Sequence, residues 1–134
     1  ESSNDSRRMT DMINACGKRY VMFCGVDDLV LENLMFGATG WVSGLVNSFP
    51  KEAVALFDYA KSGKMEEAVA LYRWFMPLLH LDVDVKLVQF IKLANQMTGE
   101  GAEWVRRPRM ELIGDERQKV AAIVQKALDT RPNI

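Results

Sequence analysis

The sequence contains few of the side chains that commonly bind metal ions or form disulfide bridges. Among its 134 residues there is one histidine, His80, and there are two cysteines, Cys16 and Cys24. The cysteines lie among apolar residues and lack the spacing of a metal site, so we expect two reduced cysteines of a cytoplasmic protein. A lone histidine does not predict a metal centre, and we expect His80 to serve packing or the surface more readily than substrate contact.

An excess of charge of one sign is also lacking. The chain has 17 basic and 18 acidic residues, and its formal net charge is −1. Bulk electrostatics therefore predict no binding to nucleic acid or to an anionic membrane. The short basic cluster Arg106, Arg107 and Arg109 is typical of a solvated face. No apolar run approaches the ~18 residues of a membrane helix, so no membrane span is predicted.

The first fifty residues alternate between helical and strand patterns. Apolar residues recur at helical spacing in two segments and form short continuous runs in two others. The predicted order is helix Ser6–Cys16, strand Tyr20–Cys24, a helix from Asp27 or Asp28 to Met35, and strand Trp41–Val46. Alternation of this kind predicts parallel strands joined by crossover helices, with both faces of the strands buried.

The remainder of the chain has a helical pattern throughout, and we find no further strand in it. A helical hairpin broken at Gly63 is followed by a third helix, a loop and a last helix. The predicted helices are Lys51–Ser62, Lys64–Leu79, Val85–Thr98 and Asp115–Asp129. We therefore divide the chain into residues 1–50 and residues 51–134, an α/β segment followed by a helical one.

Candidate functional residues lie where the predicted strands end. In parallel α/β sheets, ligands bind at the carboxyl ends of the strands. Here those ends contain Gly25, the pair Asp27 and Asp28, Ser43 and Asn47. The two aspartates could cap the next helix, bind substrate hydroxyls, or do both. Ser43 and Asn47 could equally satisfy backbone groups.

Several of these segments together resemble the dihydrodipicolinate synthase and N-acetylneuraminate lyase family. No single motif is decisive, but their order and spacing are specific. The segments are Glu1-Ser2-Ser3-Asn4-Asp5, Phe23-Cys24-Gly25-Val26-Asp27-Asp28, Gly37-Ala38-Thr39-Gly40-Trp41-Val42-Ser43, Asn47-Ser48-Phe49-Pro50 and Phe75-Met76-Pro77-Leu78-Leu79. The resemblance covers essentially the whole chain but only the C-terminal half of the family's (β/α)8 barrel.

The resemblance implies a fold in two parts. Residues 1–50 would run from the end of barrel strand 6 through strand 8. Residues 51–134 would supply the closing barrel helix and a C-terminal helical extension. The partners implied are the remaining N-terminal half of the same barrel and further copies in a homotetramer.

The resemblance also implies a mechanism. In the family, a lysine at the end of strand 6 forms a Schiff base with a keto acid. That lysine is expected directly before Glu1 and is absent from this chain, and we expect it to carry a keto-acid adduct. No metal or organic cofactor is implied. The substrate-binding residues implied are Ser2, Ser3, Gly25, Asp27, Asp28, Val42 and Ser43. One of the two aspartates is expected to cap the helix and the other to face the barrel mouth.

The subtype is inferred from departures from the synthase pattern. Leu81-Asp82-Val83-Asp84 stands where the synthases carry a proline-rich segment. The combination of Trp74–Asp82 with Lys86-Leu87-Val88-Gln89 and Glu103–Arg106 is similar to members that deaminate pyrroline-4-hydroxy-2-carboxylate, a cyclic imino acid, in hydroxyproline breakdown. The alternatives within the family are dihydrodipicolinate synthase and a sugar-acid aldolase or dehydratase.

An alternative of another class is a non-catalytic helical interaction module that uses the hairpin Lys51–Leu79. Such a module would have to fold alone at this length. The two predicted strands argue against it, because without neighbours they would present unpaired edges to water. Far-UV circular dichroism of the isolated chain would separate the two ideas, since a cooperative fold favours the module.

Overall fold

The order of helices and strands follows the alternation predicted from the sequence. The computed structural model of the chain describes residues 3–134. Its helices are α1 (Arg7–Cys16), α2 (Val30–Met35), α3 (Pro50–Lys61), α4 (Met65–Leu79), α5 (Leu87–Thr98) and α6 (Gly114–Asp129), and its strands are β1 (Phe23–Cys24) and β2 (Gly40–Trp41). Three short 3₁₀ turns lie at Asp27–Leu29, Leu45–Asn47 and His80–Asp82.

The two strands pair in parallel, as predicted. Phe23 lies opposite Gly40 and Cys24 opposite Trp41, with α2 as the crossover between the strands. Backbone hydrogen bonds on either side of this pairing, from the amide of Thr39 to the carbonyl of Met22 and from the amide of Val42 to the carbonyl of Cys24, are 2.8 and 2.9 Å long. The α/β alternation therefore produces the parallel crossover unit that a (β/α)8 barrel repeats.

The strands are shorter and less buried than the sequence predicts. The second strand was expected to extend to Val46, but Leu45–Asn47 forms a 3₁₀ turn instead. Burial on both faces is also wrong for this chain, because Val21 is 73% and Phe23 47% exposed. The physical reason is that the sheet of residues 3–134 contains only these two strands, so their outer side has no covering neighbour.

Helices α3 and α4 form the predicted hairpin, which reverses at Gly63. Gly63 has a φ of 79°, a left-handed conformation that favours glycine. The facing sides of the helices bury large apolar residues. The largest fully buried apolar side chains of the chain are Phe49, Phe75, Leu45, Leu56, Leu78, Leu79, Leu93, Val30, Val124 and Cys24. One apolar core therefore runs from the α/β segment into the helical segment.

An ion pair with a buried carboxylate links the start of α3 to the residues that follow α6. Glu52 in the first turn of α3 is 1% exposed, and its carboxylate binds the guanidinium of Arg131, which follows α6. The Arg131 guanidinium also lies 5.6 Å from the centre of the Phe49 ring. Hydrogen bonding to Glu52 raises the pKa of Arg131.

Within residues 3–134, no helix is long and apolar enough to cross a bilayer.

Candidate functional site

Asp27 links the ends of the two strands. It follows β1 closely, and its side chain is fully buried. The carboxylate accepts hydrogen bonds from the Trp41 indole nitrogen at 2.9 Å, the Ser43 hydroxyl at 2.8 Å and the Leu45 amide at 2.9 Å. Because all of these donors lie on β2 or just after it, the carboxylate determines where the chain leaves the second strand. This contact ends the strand early and begins the 3₁₀ turn at Leu45.

Burial decides the ionisation of this carboxyl. It raises the pKa of Asp27, because the charged form loses its hydration. The hydrogen bonds from Leu45, Ser43 and Trp41 act in the opposite direction, since they favour the carboxylate. A buried carboxyl with several protein donors is suited to holding the two strand exits together.

Asp28 points to a different part of the molecule. Its Oδ2 atom lies 2.9 Å from Nδ1 of His80. The hydroxyl of Tyr72 contacts the Asp28 backbone carbonyl and donates a hydrogen bond of 2.8 Å to Glu32. Burial and the nearby Glu32 raise the pKa of Tyr72, which keeps its hydroxyl protonated. His80 lies at the surface, as expected, and its contact with Asp28 joins the turn after β1 to the turn after α4.

The expected capping role of the aspartates is wrong. Neither the turn Asp27–Leu29 nor α2 has a side-chain hydrogen bond at its cap. The physical reason is that each carboxylate has a partner far away in sequence, Asp27 on the exit of β2 and Asp28 on His80. The two adjacent side chains have different partners, and the expectation that one of them faces the barrel mouth stays a prediction.

A cleft of about 430 Å³ opens at the carboxyl ends of the two strands. Three of the predicted site residues meet there, namely Gly25, Val42 and Ser43. Asp27 is buried and does not line this cleft, and Asp28 does not line it either. Ser3 is exposed and its hydroxyl donates to the Asp5 carbonyl at 3.4 Å, whereas Ser2 lies outside the described residues. The structure therefore brings together the predicted residues of the two strand exits.

The Ser43 hydroxyl has a defined orientation in this cleft. It donates its proton to Asp27 at 2.8 Å and accepts from the Val46 amide at 3.0 Å. An accepting hydroxyl oxygen has two lone pairs, so one stays available for a ligand that donates a hydrogen bond. Gly25 has no side chain and allows a ligand to approach the backbone closely. Val42, 65% exposed, adds an apolar wall.

The cleft also contains residues that the list of predicted site residues omits. They are Asn4, Val26, Gly44, Asp82, Val83 and Leu87. Asn4 belongs to the segment Glu1-Ser2-Ser3-Asn4-Asp5, one of those that carry the family resemblance. Asp82 and Val83 belong to the segment Leu81–Asp84, which departs from the synthase pattern. This departure is the one feature of the sequence that could have pointed to them as cleft residues. Their position beside β2 depends on the packing of α4 and α5, which strand-end reasoning does not address.

The described residues contain no group of three or more histidine, cysteine, aspartate or glutamate side chains arranged to hold a metal ion. Cys24 is buried and Cys16 half-buried, and both are free thiols. Burial raises the pKa of the Cys24 thiol, so it is a poor nucleophile near neutral pH. The polar side chains that line the cleft are those of Ser43, Asn4 and Asp82.

Known proteins of similar sequence are longer than this chain. A 4-hydroxy-tetrahydrodipicolinate synthase of Geotalea uraniireducens is 29% identical over 130 residues, which are 94% of this chain and 43% of that protein. An uncharacterized DapA-like lyase of Pyrobaculum islandicum is 37% identical over 78 residues, 58% of this chain and 26% of that protein. The chain thus spans less than half the length of these relatives.

Solved structures of similar fold give the same picture. Dihydrodipicolinate synthase of Oceanobacillus iheyensis superposes with a TM-score of 0.82 at 26% identity, over 96% of this chain and 44% of that one. A sialic acid aldolase of Ruminococcus gnavus superposes with a TM-score of 0.78 at 22% identity and shares the fold. The chain therefore has the fold of the C-terminal part of a TIM barrel with its helical extension. The sequence profile of the dihydrodipicolinate synthetase family matches residues 1–127, and the chain belongs to this family.

Proposed function

We propose that this chain is the C-terminal part of a lyase that forms a Schiff base with small keto acids. The observation that supports this function best is the cleft at the carboxyl ends of two parallel strands, lined by Gly25, Val42 and Ser43. Relatives that match nearly the whole chain bear the name of a synthase of this family. The nucleophile is proposed to be a lysine directly before Glu1, at the end of the preceding strand.

The chemistry requires a desolvated amine and a fixed pocket. A lysine amine in a water-poor site has a lowered pKa and is nucleophilic near neutral pH. It attacks the carbonyl carbon of the keto acid, the carbonyl oxygen gains a proton, and loss of water leaves a protonated imine. The imine then withdraws electrons from the neighbouring carbon, where a bond is made or broken.

Within this proposal, the residues of the chain orient the substrate. The free lone pair of Ser43 accepts a hydrogen bond from a substrate donor. Gly25 allows the substrate to lie against the backbone, and Val42 excludes water from one side. Asp27 acts as a positioning residue, since it holds the Ser43 hydroxyl at 2.8 Å. Ser2 and Ser3 are proposed to border the lysine, and Asp28 to act through its contact with His80.

Borohydride trapping of the full-length protein with pyruvate tests this function. The expected result is a covalent, reduced pyruvate adduct on the lysine before Glu1, identified by mass spectrometry of the peptide. Replacing this lysine by arginine keeps the positive charge and should abolish the adduct, which serves as the matched control. An adduct-free protein, or another residue at that position, would overturn the proposal.

For the subtype, we propose deamination of pyrroline-4-hydroxy-2-carboxylate. The supporting observation is Leu81-Asp82-Val83-Asp84, which stands in place of a proline-rich segment; Leu81 and Asp82 end the 3₁₀ turn His80–Asp82, and Asp82 and Val83 line the cleft. Dihydrodipicolinate synthase is the second candidate, favoured by the similarity to 4-hydroxy-tetrahydrodipicolinate synthases at 26–29% identity. An ammonia-release assay with the imino acid supports the deaminase. Condensation of pyruvate with aspartate semialdehyde, without release of ammonia, supports the synthase.

The proposed partners and location follow from the same family membership. We propose that the strands pair with an N-terminal half of the barrel and that the complete enzyme is a cytoplasmic homotetramer. The two free cysteines agree with a reducing compartment. Sedimentation of the full-length protein tests the assembly, and a monomer at micromolar concentration would contradict it.

A further inference from the structure

A second cavity, the α4–α6 cavity, lies between these two helices and away from the strand exits. Its volume is about 320 Å³, near the lower end of the ~300–1,000 Å³ that small-molecule sites occupy. None of the residues that line it also lines the cleft. Its walls are mostly apolar, with Trp74, Pro77 and Leu78 from α4 and Ile123 and Ala127 from α6. The helical segment therefore contains a small apolar cavity of its own, which the proposed function does not use.

One basic side chain from each helix lines this cavity, Arg73 from α4 and Lys126 from α6. Among the described residues, no acidic one lines it. Neither cation forms an ion pair or a side-chain hydrogen bond within residues 3–134. By contrast, Lys86 and Arg117 of the same helical segment each bind a glutamate. The cavity thus combines apolar walls with two positive charges that no carboxylate of the described chain neutralises.

The aromatic wall of the cavity is held in a fixed position. The Trp74 indole nitrogen donates a hydrogen bond of 3.1 Å to the Thr130 hydroxyl, and this hydroxyl donates to the Lys126 carbonyl at 2.8 Å. The indole ring also stacks on the ring of Phe75 at a centroid distance of 5.4 Å. Because these contacts fix the ring without a ligand, binding costs little additional ordering of the side chain. An apolar group that enters the cavity therefore meets a wall that is already formed.

We propose that the α4–α6 cavity binds a small monocarboxylate with an apolar body, such as an aryl or short alkyl group. The carboxylate pairs with the Arg73 guanidinium, which can hold both oxygens, and with the Lys126 ammonium. The apolar body packs between Trp74 and Ile123, where its surface is removed from water. A dicarboxylate is disfavoured, because its second charge would lie against apolar walls. This inference is independent of the proposed function, since no residue of the cleft takes part.

Calorimetric titration of the full-length protein with 3-phenylpropionate tests this site. The acid should bind about tenfold more tightly than 3-phenylpropan-1-ol, which has the same ring and chain without the charge, as expected for a hydrogen-bonded charged pair. Acetate, which has the charge without the ring, should also bind more weakly than the acid. Each titration is repeated with excess pyruvate, which competes for the cleft. Pyruvate should leave the affinity for 3-phenylpropionate unchanged.

Two substitutions remove the charges of the cavity one at a time. Arg73→Gln should lower the affinity for 3-phenylpropionate about tenfold, and Lys126→Gln should lower it less, because only the guanidinium holds both oxygens. Neither should change the affinity for the alcohol. Lys119→Gln is the matched control, since it removes the same charge two turns earlier in α6, at an exposed residue that does not line the cavity. It should leave the affinity unchanged, and thermal unfolding checks that each variant is folded.

Several results would overturn this inference. The full-length protein could fail to bind 3-phenylpropionate, or could bind the acid and the alcohol with equal affinity. Displacement of the acid by pyruvate would place it in the cleft instead. An equal loss of affinity in Lys119→Gln and Lys126→Gln would mean that the overall charge of α6, and not this cavity, attracts the acid. A protein that traps no pyruvate would refute the proposed function and leave the α4–α6 cavity as a binding site.

Discussion

The α/β segment, whose described part before α3 is residues 3–49, and the helical segment, which in the structure begins with α3 at Pro50, differ in how much polar contacts add to their apolar packing. In the helical segment, helices of 12–16 residues bury large apolar side chains such as Phe75 and Leu78. In the α/β segment, each strand has two residues, and the buried carboxylate of Asp27 fixes their exits. The segment that supplies most of the candidate site thus adds directional hydrogen bonds to the apolar burial of residues such as Val30 and Leu45, and such bonds specify geometry more narrowly than apolar burial does.

Phe75→Ala should have the largest effect and would test the apolar half of this comparison. Phe75 is fully buried, and its ring contacts those of Phe49 and Trp74 at centroid distances of 6.0 and 5.4 Å. Removing a buried ring leaves a cavity and should cost about 4 kcal/mol of unfolding free energy, measured with urea. Arg73→Ala, at an exposed position of the same helix, should cost less than ~0.5 kcal/mol. A loss below ~1 kcal/mol for Phe75→Ala would contradict the buried role of this ring.

Asp27→Asn should have the next largest effect and would test the polar half. An asparagine has only one acceptor oxygen, so its amide group would face either the Trp41 indole or the donors Ser43 and Leu45. The unpaired groups should cost about 2 kcal/mol of stability. In a full-length enzyme, pyruvate trapping should also fall, because the Ser43 hydroxyl loses its fixed orientation. Unchanged stability would contradict the linking role of Asp27.

The pH dependence of the same pair of proteins sharpens this test. Burial raises the pKa of Asp27, so the folded protein holds this proton more tightly than the unfolded chain does. The resulting contribution to stability is complete below the unfolded pKa of about 3.9 and is lost as the pH rises through the raised folded value. The stability advantage over Asp27→Asn should therefore shrink across this window. If the stability advantage over Asp27→Asn instead grew as the pH rises, the pKa of Asp27 would be lowered on folding rather than raised.

Gly40→Ala should have a moderate effect, confined to the contact between the strands. A Cβ atom on residue 40 would lie 2.2 Å from Cε1 of Phe23, so the ring must move. Because Phe23 is half exposed, the ring can rotate outward, and we expect a loss of about 1–2 kcal/mol. The double variant Gly40→Ala with Phe23→Leu should recover part of this loss. If the double variant recovers no stability, the loss in Gly40→Ala does not come from a clash with the Phe23 ring.

His80→Gln should have the smallest effect on stability. The side chain of His80 is 58% exposed, and pairs of this kind contribute below ~1 kcal/mol. Glutamine can still donate a hydrogen bond to Asp28. A loss larger than that of Gly40→Ala would mean that the link between the two segments matters more than the strand contact. Urea unfolding of both variants under one condition makes the comparison direct.

The sequence predicts those elements whose pattern is local. The helices end within a few residues of the predicted bounds, for example Arg7–Cys16 against Ser6–Cys16 and Met65–Leu79 against Lys64–Leu79. The start of α5 differs more, since the backbone amide of Lys86 binds Asp84 and the helix begins at Leu87. The parallel pairing of the strands also follows from the alternation of elements.

The errors concern contacts between residues that are distant in the chain. The exit of β2 depends on Asp27, sixteen residues before Ser43, and no local pattern reveals that a carboxylate there will interrupt the strand. The pairing of Asp28 with His80 spans 52 residues. Likewise, Asp82 reaches the cleft through the packing of the helical segment, so reasoning from strand ends alone omits it. Of the predicted residues that line the cleft, Gly25 and Ser43 are expected from the strand ends, and Val42 is expected only from the family resemblance.

The pairing of Glu52 with Arg131 has a consequence for the order of events during synthesis. The two residues are 79 positions apart, so Glu52 leaves the ribosome long before its partner. Chains fold progressively as they emerge, and until residue 131 is available the first turn of α3 contains a carboxylate that cannot be buried without cost. The final docking of α3 against the core is thereby coupled to the completion of α6. A ribosome-bound nascent chain halted before residue 131 should leave the start of α3 open to proteolysis.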